Sequence, residues 1–344
     1  MVKFEIRGAV PADEAEIYRL AQYLNSVNLP NDRDYIRSLL EHSDDSFSGR
    51  LRSKPHRKYV FVLWDLERDT AVGTSMIVAQ LGRRDAPYIY LDVIDEEKYS
   101  KLLDRHFHHT ALRIGYSFAG PTEIGGLVVA PEFRAAKARL GLQISYVRFL
   151  YIATHRELFQ EQILAELLPP LEADGTSHLW EALGRRFTDM SYAEADRLSS
   201  ENKEFVRDLF PNGLVYASVL SPEAQAVIGK VGAQTKGVER MLQRVGFRYA
   251  DRVDPFDGGP HFVADADEIT LVEETEVIAV GAITAAEPAG PMALVARDLA
   301  EPPYFRAYAT PTAKTEEGKL VLGEEIAGRL EVVEGDSIFH LPLR

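Results

Sequence analysis

Three cations, Arg134, Lys137 and Arg139, fall just ahead of a stretch whose apolar residues recur at helical spacing: Leu140, Ile144, Val147, Leu150 and Tyr151. The spacing predicts a helix over residues 140–155. Its first backbone N–H groups lack intrahelical acceptors and its dipole is positive at that end, so an anion is favoured beside the three cations. A diphosphate carried on a larger molecule suits such a place. An ordinary strand-to-helix connection with solvated basic residues gives the same pattern, because short phosphate-loop motifs recur by chance.

The elements that would position this loop are legible. Residues 124–129 are rich enough in β-branched side chains for a buried strand, and Ala130-Pro131 ends it, since proline cannot donate to a ladder and restricts the residue before it. Upstream, residues 3–7 alternate as a first strand, Pro11 opens a helix carrying Ile17 and Leu20, and strands follow at 59–63, 71–79 and 88–93. Together with 124–129 these predict a sheet covered by the long helix. Met76, Tyr88 and Tyr90 lie on that sheet, where core packing is the default for such side chains.

Downstream, a strand is expected at 162–168, helices at 178–186, 192–198 and 203–209, a strand at 215–220, and helices at 223–230 and 237–244. Trp180 and Phe187 are seven apart, which predicts one buried helical face. From about residue 267 the texture changes. Short apolar runs at 277–283, 292–296, 304–310, 319–322 and 337–341, separated by Pro, Gly and acidic residues, predict a small β-barrel that stabilises or assembles the protein, with 328–336 as a strand and turn.

The run Val129-Ala130-Pro131-Glu132-Phe133-Arg134 resembles the acyl-CoA-binding motif of the GNAT N-acyltransferase superfamily, and residues 241–247 resemble the helix-Gly-Phe-strand ending of that fold. More particularly, Tyr59-Val60-Phe61-Val62-Leu63, Leu179 to Phe187, Ser221-Pro222-Glu223-Ala224-Gln225, Val227-Ile228-Gly229, Gln234-Thr235 and Phe256-Asp257-Gly258-Gly259-Pro260 are similar, in order and spacing, to the arginine N-succinyltransferase family. The resemblance covers about residues 2–270.

It implies an α/β (α+β) fold: a GNAT-like mixed sheet flanked by helices, with a small C-terminal β-barrel-like domain. The expected domains are a GNAT-like acyl-CoA-binding domain at 1–158, a second half of the acyltransferase region at 159–270 and a β-rich domain at 271–344. The implied reaction transfers a succinyl or related acyl group from succinyl-CoA, or another acyl-CoA, to the α-amino group of arginine or a similar amine, in arginine catabolism. The family's succinyl-CoA contact falls on Leu127, and the implied cofactor-binding set is Leu127, Val129, Arg134, Lys137, Arg139, Leu140 and Gly141.

For the cationic acceptor, Asp257 in the Asp-Gly-Gly-Pro turn and Glu123 at a strand entrance are candidates. The plainer readings are a turn fixed by two glycines and a solvated strand-end carboxylate.

The departures from the family pattern bear on the chemistry. The His that the family uses as proton donor is Gly232 here, a second family His aligns with Phe118, and the phosphate loop is two residues longer, with Arg139 in place of its first glycine. No catalytic acid or base is assigned from sequence, although His109, Tyr116, Ser117 and Glu123 flank the central strands. The alternative to an enzyme is an acyl-CoA-binding regulatory or partner subunit that is catalytically impaired.

Composition bounds the rest. With 344 residues, 46% hydrophobic and 27% charged, the chain has the balance of a soluble globular protein. It contains no cysteine, which excludes disulfides, thiolate metal ligands and a Cys nucleophile. The net charge of −14 disfavours nucleic acid and suits a cationic acceptor. The basic stretch 50–58 is read as a solvated loop before a strand. No apolar span predicts a membrane segment, and a cytoplasmic homo- or hetero-oligomer is expected. The run His106-Phe107-His108-His109 has no companion ligand cluster and reads as a polar edge of a helix or loop, so no metal is expected. A serine hydrolase is disfavoured, since residues 115–120 miss the Gly-x-Ser-x-Gly elbow by one position.

Overall fold

The computed structural model describes residues 2–23, 29–84, 86–172, 175–199 and 202–343. In chain order the first elements are β1 (Phe4–Gly8), α1 (Glu14–Ala21), α2 (Arg33–Phe47), β2 (Lys58–Asp65), β3 (Thr70–Val78), β4 (Tyr88–Ser100), β5 (Arg105–Ser117), β6 (Thr122–Val129), α3 (Leu140–Thr154) and β7 (Gln162–Glu166). Helices α4 (Arg185–Thr188), α5 (Tyr192–Ser199) and α6 (Glu204–Leu209), β8 (Val215–Tyr216), α7 (Pro222–Val227), α8 (Lys236–Arg244), β9 (Arg248–Val253), β10 (Pro260–Asp265) and α9 (Thr270–Glu273) follow. The chain closes with β11 (Glu276–Thr284), β12 (Met292–Asp298), β13 (Phe305–Pro311), β14 (Ala313–Lys314), β15 (Leu320–Gly323), α10 (Glu324–Leu330) and β16 (Ser337–Pro342).

Two compact units emerge, and neither is a continuous stretch of chain. The first comprises Met1–Ala79, Ile124–Glu161 and Ala266–Arg344; the second comprises Gln80–Glu123 and Gln162–Asp265. Boundaries at 158 and 270 therefore do not separate the compact units. The reason is non-local strand pairing: β1 pairs antiparallel with β2 on one side (Ile6↔Leu63) and with β13 on the other (Ile6↔Ala307). The C-terminal strands thus continue the order of the first unit, which runs β14-β15-β11-β16-β12-β13-β1-β2-β3-β6.

Within the first unit, α1 buries Ile17, Leu20 and Ala21, and α2 buries Ile36, Leu39 and Leu40, against Val60, Val62, Met76 and Val128 of the strands. Asp32 caps α2 by accepting from the backbone N–H groups of Asp34 (2.9 Å) and Tyr35 (3.0 Å). Helix α3 is apolar on nearly every face and is correspondingly buried on nearly every face, including Leu140, Ile144, Val147, Phe149, Leu150 and Ile152.

In the second unit the order is β7-β10-β9-β4-β5-β8, and the opening residues of β6 add to β7 in parallel (Thr122↔Ile163, Glu123↔Leu164). Its core is Leu91, Leu112, Leu179, Trp180, Val206, Phe210, Val253 and Phe256.

Several expectations are corrected. Residues 106–109 are neither helix nor loop but part of β5, which pairs with β4 over thirteen positions, from Tyr88↔Ser117 to Ser100↔Arg105. The strand expected at 215–220 shrinks to Val215–Tyr216, followed by a 3-10 turn. The strand expected around 328–336 is the end of α10 and a turn. The Trp180–Gly184 segment is π-helical, so Trp180 is fully buried while Phe187 stays 44% exposed. Among the described residues no helix is long and apolar enough to cross a membrane.

Candidate active site

In the first unit the predicted strand, loop and helix are all present. Gly126 of β6 has φ +56°, a left-handed kink in mid-strand, and a Cβ there would meet Met76 Cγ at 3.0 Å. Leu127 follows the kink and is half-buried; Val129 ends the strand, buried. After a 3-10 turn at Pro131–Phe133, Arg134 donates from Nε to the carbonyl of Val129 at 2.9 Å, pinning the start of the loop to the end of the strand. Lys137 and Arg139 are exposed, Leu140 is buried and Gly141 half-buried.

Arg139 is the N-cap of α3, in the left-handed conformation (φ 54°, ψ 46°), and Gln143 donates to the carbonyl of Ala138 at 2.6 Å. The loop therefore presents Lys137 and Arg139 to solvent beside the helix start, while Arg134, the third cation of the sequence reading, is tied back to Val129. Lys137, Arg139 and Gln143 also line a cavity of about 440 Å³ with Lys3, Met292 and Leu343.

The basic stretch 50–58 is committed elsewhere. Arg50 pairs with Asp44 and Asp45 (2.5 and 2.7 Å), and Arg57 donates to the carbonyl of Leu51 (2.7 Å).

In the second unit both acidic candidates join a larger cluster. Glu123 is buried in β6, and Asp257 is buried in its turn, accepting from the backbone N–H of Gly259 at 2.7 Å. Burial and the neighbouring charges of Glu123, Asp254 and Asp257 push the Glu166 carboxyl well above the ordinary range, although its side chain keeps 30% exposure. Burial and Asp254 do the same to Asp257. Burial raises Asp254 against the pull of Lys203, and Asp196 is raised to about 6 by burial and Asp254.

His261 is fully buried at this cluster. Its Nδ1 lies 2.9 Å from the Tyr88 hydroxyl and its Nε2 lies 3.4 Å from Glu166 Oε1, without hydrogen-bond geometry. Burial, with Arg252 and Lys203, lowers it to about 3, so the ring is neutral. Glu166, Asp254 and His261 offer atoms within 4.8 Å of one another, a spacing open to an inorganic or an organic cation. The group as a whole has more anion than its own lysine and arginine balance. It wants a cation.

The other sequence candidates lie apart from this chemistry. His109 packs edge-on against Tyr216 (5.9 Å), and Tyr116 against Phe118 (5.8 Å), both on β5. Ser117 caps a turn by accepting from Ala119 N at 3.1 Å. Sequence reading missed Glu166, Asp196, Asp254 and His261 and assigned Tyr88 to core packing; their convergence depends on antiparallel register: β10 lies beside β7, so that His261 faces Glu166. It also missed Arg148, for which a signal existed, a lone cation in a helix otherwise apolar all round.

A kinked strand leading through a basic loop into a buried helix, in a mixed α/β fold, is an arrangement that suits a transferase holding an anionic carrier. The sequence profile of the family described as "Arginine N-succinyltransferase beta subunit" matches residues 4–271. Arginine N-succinyltransferases of Enterobacter sp. (strain 638) and Yersinia pestis are 33% and 32% identical, over 91% and 97% of this chain and 89% and 96% of theirs. The structure of arginine/ornithine succinyltransferase subunit AI from Pseudomonas aeruginosa superposes with a TM-score of 0.84 at 26% identity, covering 99% of each chain. The chain belongs to the arginine N-succinyltransferase family.

Proposed function

We propose that the protein transfers a succinyl group from succinyl-CoA to the α-amino group of arginine, or of an amine of similar length and charge, in arginine catabolism in the cytoplasm, as a homo- or hetero-oligomer. The amine nitrogen attacks the thioester carbonyl, the C–N bond forms as the C–S bond breaks, and CoA leaves as a thiolate that takes up a proton. The kinked strand polarises the carbonyl through backbone N–H at Leu127, and Arg134, Lys137, Arg139, Leu140 and Gly141 hold the carrier. Glu123 and Asp257, with Asp196 and Asp254, receive the cationic end of the acceptor. Glu166 accepts the amine's proton, since its raised proton affinity brings a carboxylate closer to that task.

The observation that carries this reading is the crowding of carboxylates whose mutual repulsion raises their proton affinity and which a bound cation would relieve. The test is thiol release from succinyl-CoA with arginine against citrulline, its uncharged analogue of equal length, in wild type and in Glu166→Gln. Arginine is expected to exceed citrulline by about 10²-fold in kcat/KM, and the substitution to cost about 10²-fold or more in kcat. Equal use of citrulline would overturn the acceptor assignment.

A further inference from the structure

Arg148 sits in the middle of α3 with 2% of its surface exposed, between Val147 and Phe149, both fully buried. A guanidinium taken out of water costs several kcal/mol unless an anion compensates it. Among the described residues Arg148 has no carboxylate partner. Its hydrogen bonds go to neutral acceptors: Nε to the carbonyl of Ser145 (3.1 Å), Nη2 to Ser145 Oγ (2.7 Å) and Nη1 to the carbonyl of Gly125 (3.4 Å). These three contacts use three of five donors and leave one N–H on each terminal nitrogen for an acceptor outside the chain's described residues, such as the oxygens of a carboxylate. Burial alone pushes the group down to about 9, as expected of a cation with no anion beside it among the described residues.

Its location says which anion. Gly125, the residue that Arg148 holds, directly precedes the left-handed Gly126, and Leu127 follows. This is the strand segment assigned above to the thioester carbonyl, so the guanidinium is fastened to the part of the fold that holds the acyl group rather than to the loop that holds the phosphates. A helix-to-strand tie with no other purpose needs no charge: Ser75 Oγ makes such a tie to the carbonyl of Ile144 at 2.7 Å with a hydroxyl.

We propose that Arg148 binds the distal carboxylate of the acyl group and thereby selects short dicarboxylic acyl-CoA thioesters over neutral acyl chains of equal length. The proposal rests on the acyltransferase reading and names the feature that gives it its acyl specificity.

The experiment compares succinyl-CoA with butyryl-CoA, which has the same chain length without the carboxylate. Thiol release with arginine and calorimetric binding of each thioester are measured for wild type, Arg148→Met and Arg148→Lys. Wild type is expected to prefer succinyl-CoA by about 10²-fold or more in kcat/KM. Arg148→Met collapses that ratio to within a few-fold of one, chiefly by losing succinyl-CoA, and Arg148→Lys retains part of it. Equal losses on both thioesters, or a wild-type ratio near one, would overturn the role and leave Arg148 a structural tie. Absence of thiol release with every thioester would instead count against the acyltransferase reading, and the succinyl-to-butyryl binding ratio would still decide Arg148.

Discussion

A Cβ built on Gly232 would lie 2.7 Å from the carbonyl oxygen of Pro169 and 3.0 Å from that of Leu168. The segment is fastened there: Gly232 donates its N–H to the Leu168 carbonyl at 2.9 Å, and Thr235 Oγ1 donates to the same oxygen at 3.0 Å. The position that aligns with the family's catalytic imidazole is thus closed by backbone, which does not yield as a side chain does. Gly232→His is expected to lower stability by about 2–3 kcal/mol and to leave thiol release no higher than in wild type. Thermal unfolding and the thiol assay measure both; a stable, faster Gly232→His variant would show that the site does use an imidazole at this position.

The acidic cluster makes stability depend on pH in a defined direction. Asp196 has its folded pKa raised from 3.8 to about 6, and burial with neighbouring carboxylates raises Glu166 and Asp257 as well. A carboxyl that binds its proton more tightly when folded contributes stability below its unfolded pKa, and that contribution is lost as pH rises through the folded value. Without ligand, the melting temperature is therefore expected to fall between about pH 4 and pH 6, the span between the unfolded and folded values of Asp196. Arginine binds the ionised cluster, so its stabilising shift should be larger at pH 7.5 than at pH 5.5. Asp196→Asn should flatten the ligand-free slope. A melting temperature that rises across this window, with an arginine shift independent of pH, would remove the cluster from acceptor binding.

What the sequence disclosed and what it hid divide along the range of the interactions. The strand-loop-helix from β6 to α3 is local, so apolar spacing, Pro131 and three cations sufficed to place it. Glu123 and Asp257 stand out as candidates because each sits beside a recognisable feature, a strand start and a Gly-Gly turn. Glu166 and His261 were not, because each is an unremarkable residue at a strand end and only the β7–β10 register, His261↔Glu166, makes them neighbours. The same limit applies to the compact units: pairing of Ile6 with Ala307 joins residues three hundred positions apart, which no local pattern announces.

Arg139 tests how the phosphate loop was altered. It holds a left-handed conformation that costs an L-residue about 1 kcal/mol or more, where the family's pattern has glycine. Arg139→Gly is expected to raise stability by up to about 1 kcal/mol while weakening acyl-CoA binding several-fold at low salt, because the backbone geometry survives and a cation is lost. The loss should shrink at high salt, where screening removes the contribution of an exposed charge. Calorimetric titration at two salt concentrations checks this. Unchanged affinity at low salt would place Arg139 outside the carrier site.

The pair Trp180 and Phe187 separates helix type from helix face. Seven residues span two turns of an α-helix and would bring the two rings to one face, but Trp180–Gly184 is π-helical and the turn is wider. Trp180 is accordingly buried, stacked on Phe256 with ring centroids 5.0 Å apart and donating from Nε1 to the carbonyl of Met190 at 3.0 Å. Phe187 rests at the surface, 6.2 Å from the ring of Phe210. Trp180→Phe is expected to lose about 1–3 kcal/mol, from the unmade hydrogen bond at Met190 and the smaller ring, whereas Phe187→Ala should lose about 1 kcal/mol or less. Denaturant unfolding of the two variants measures the difference. Equal losses would put Phe187 in the core and return the segment to an α-helix with both rings on its buried face.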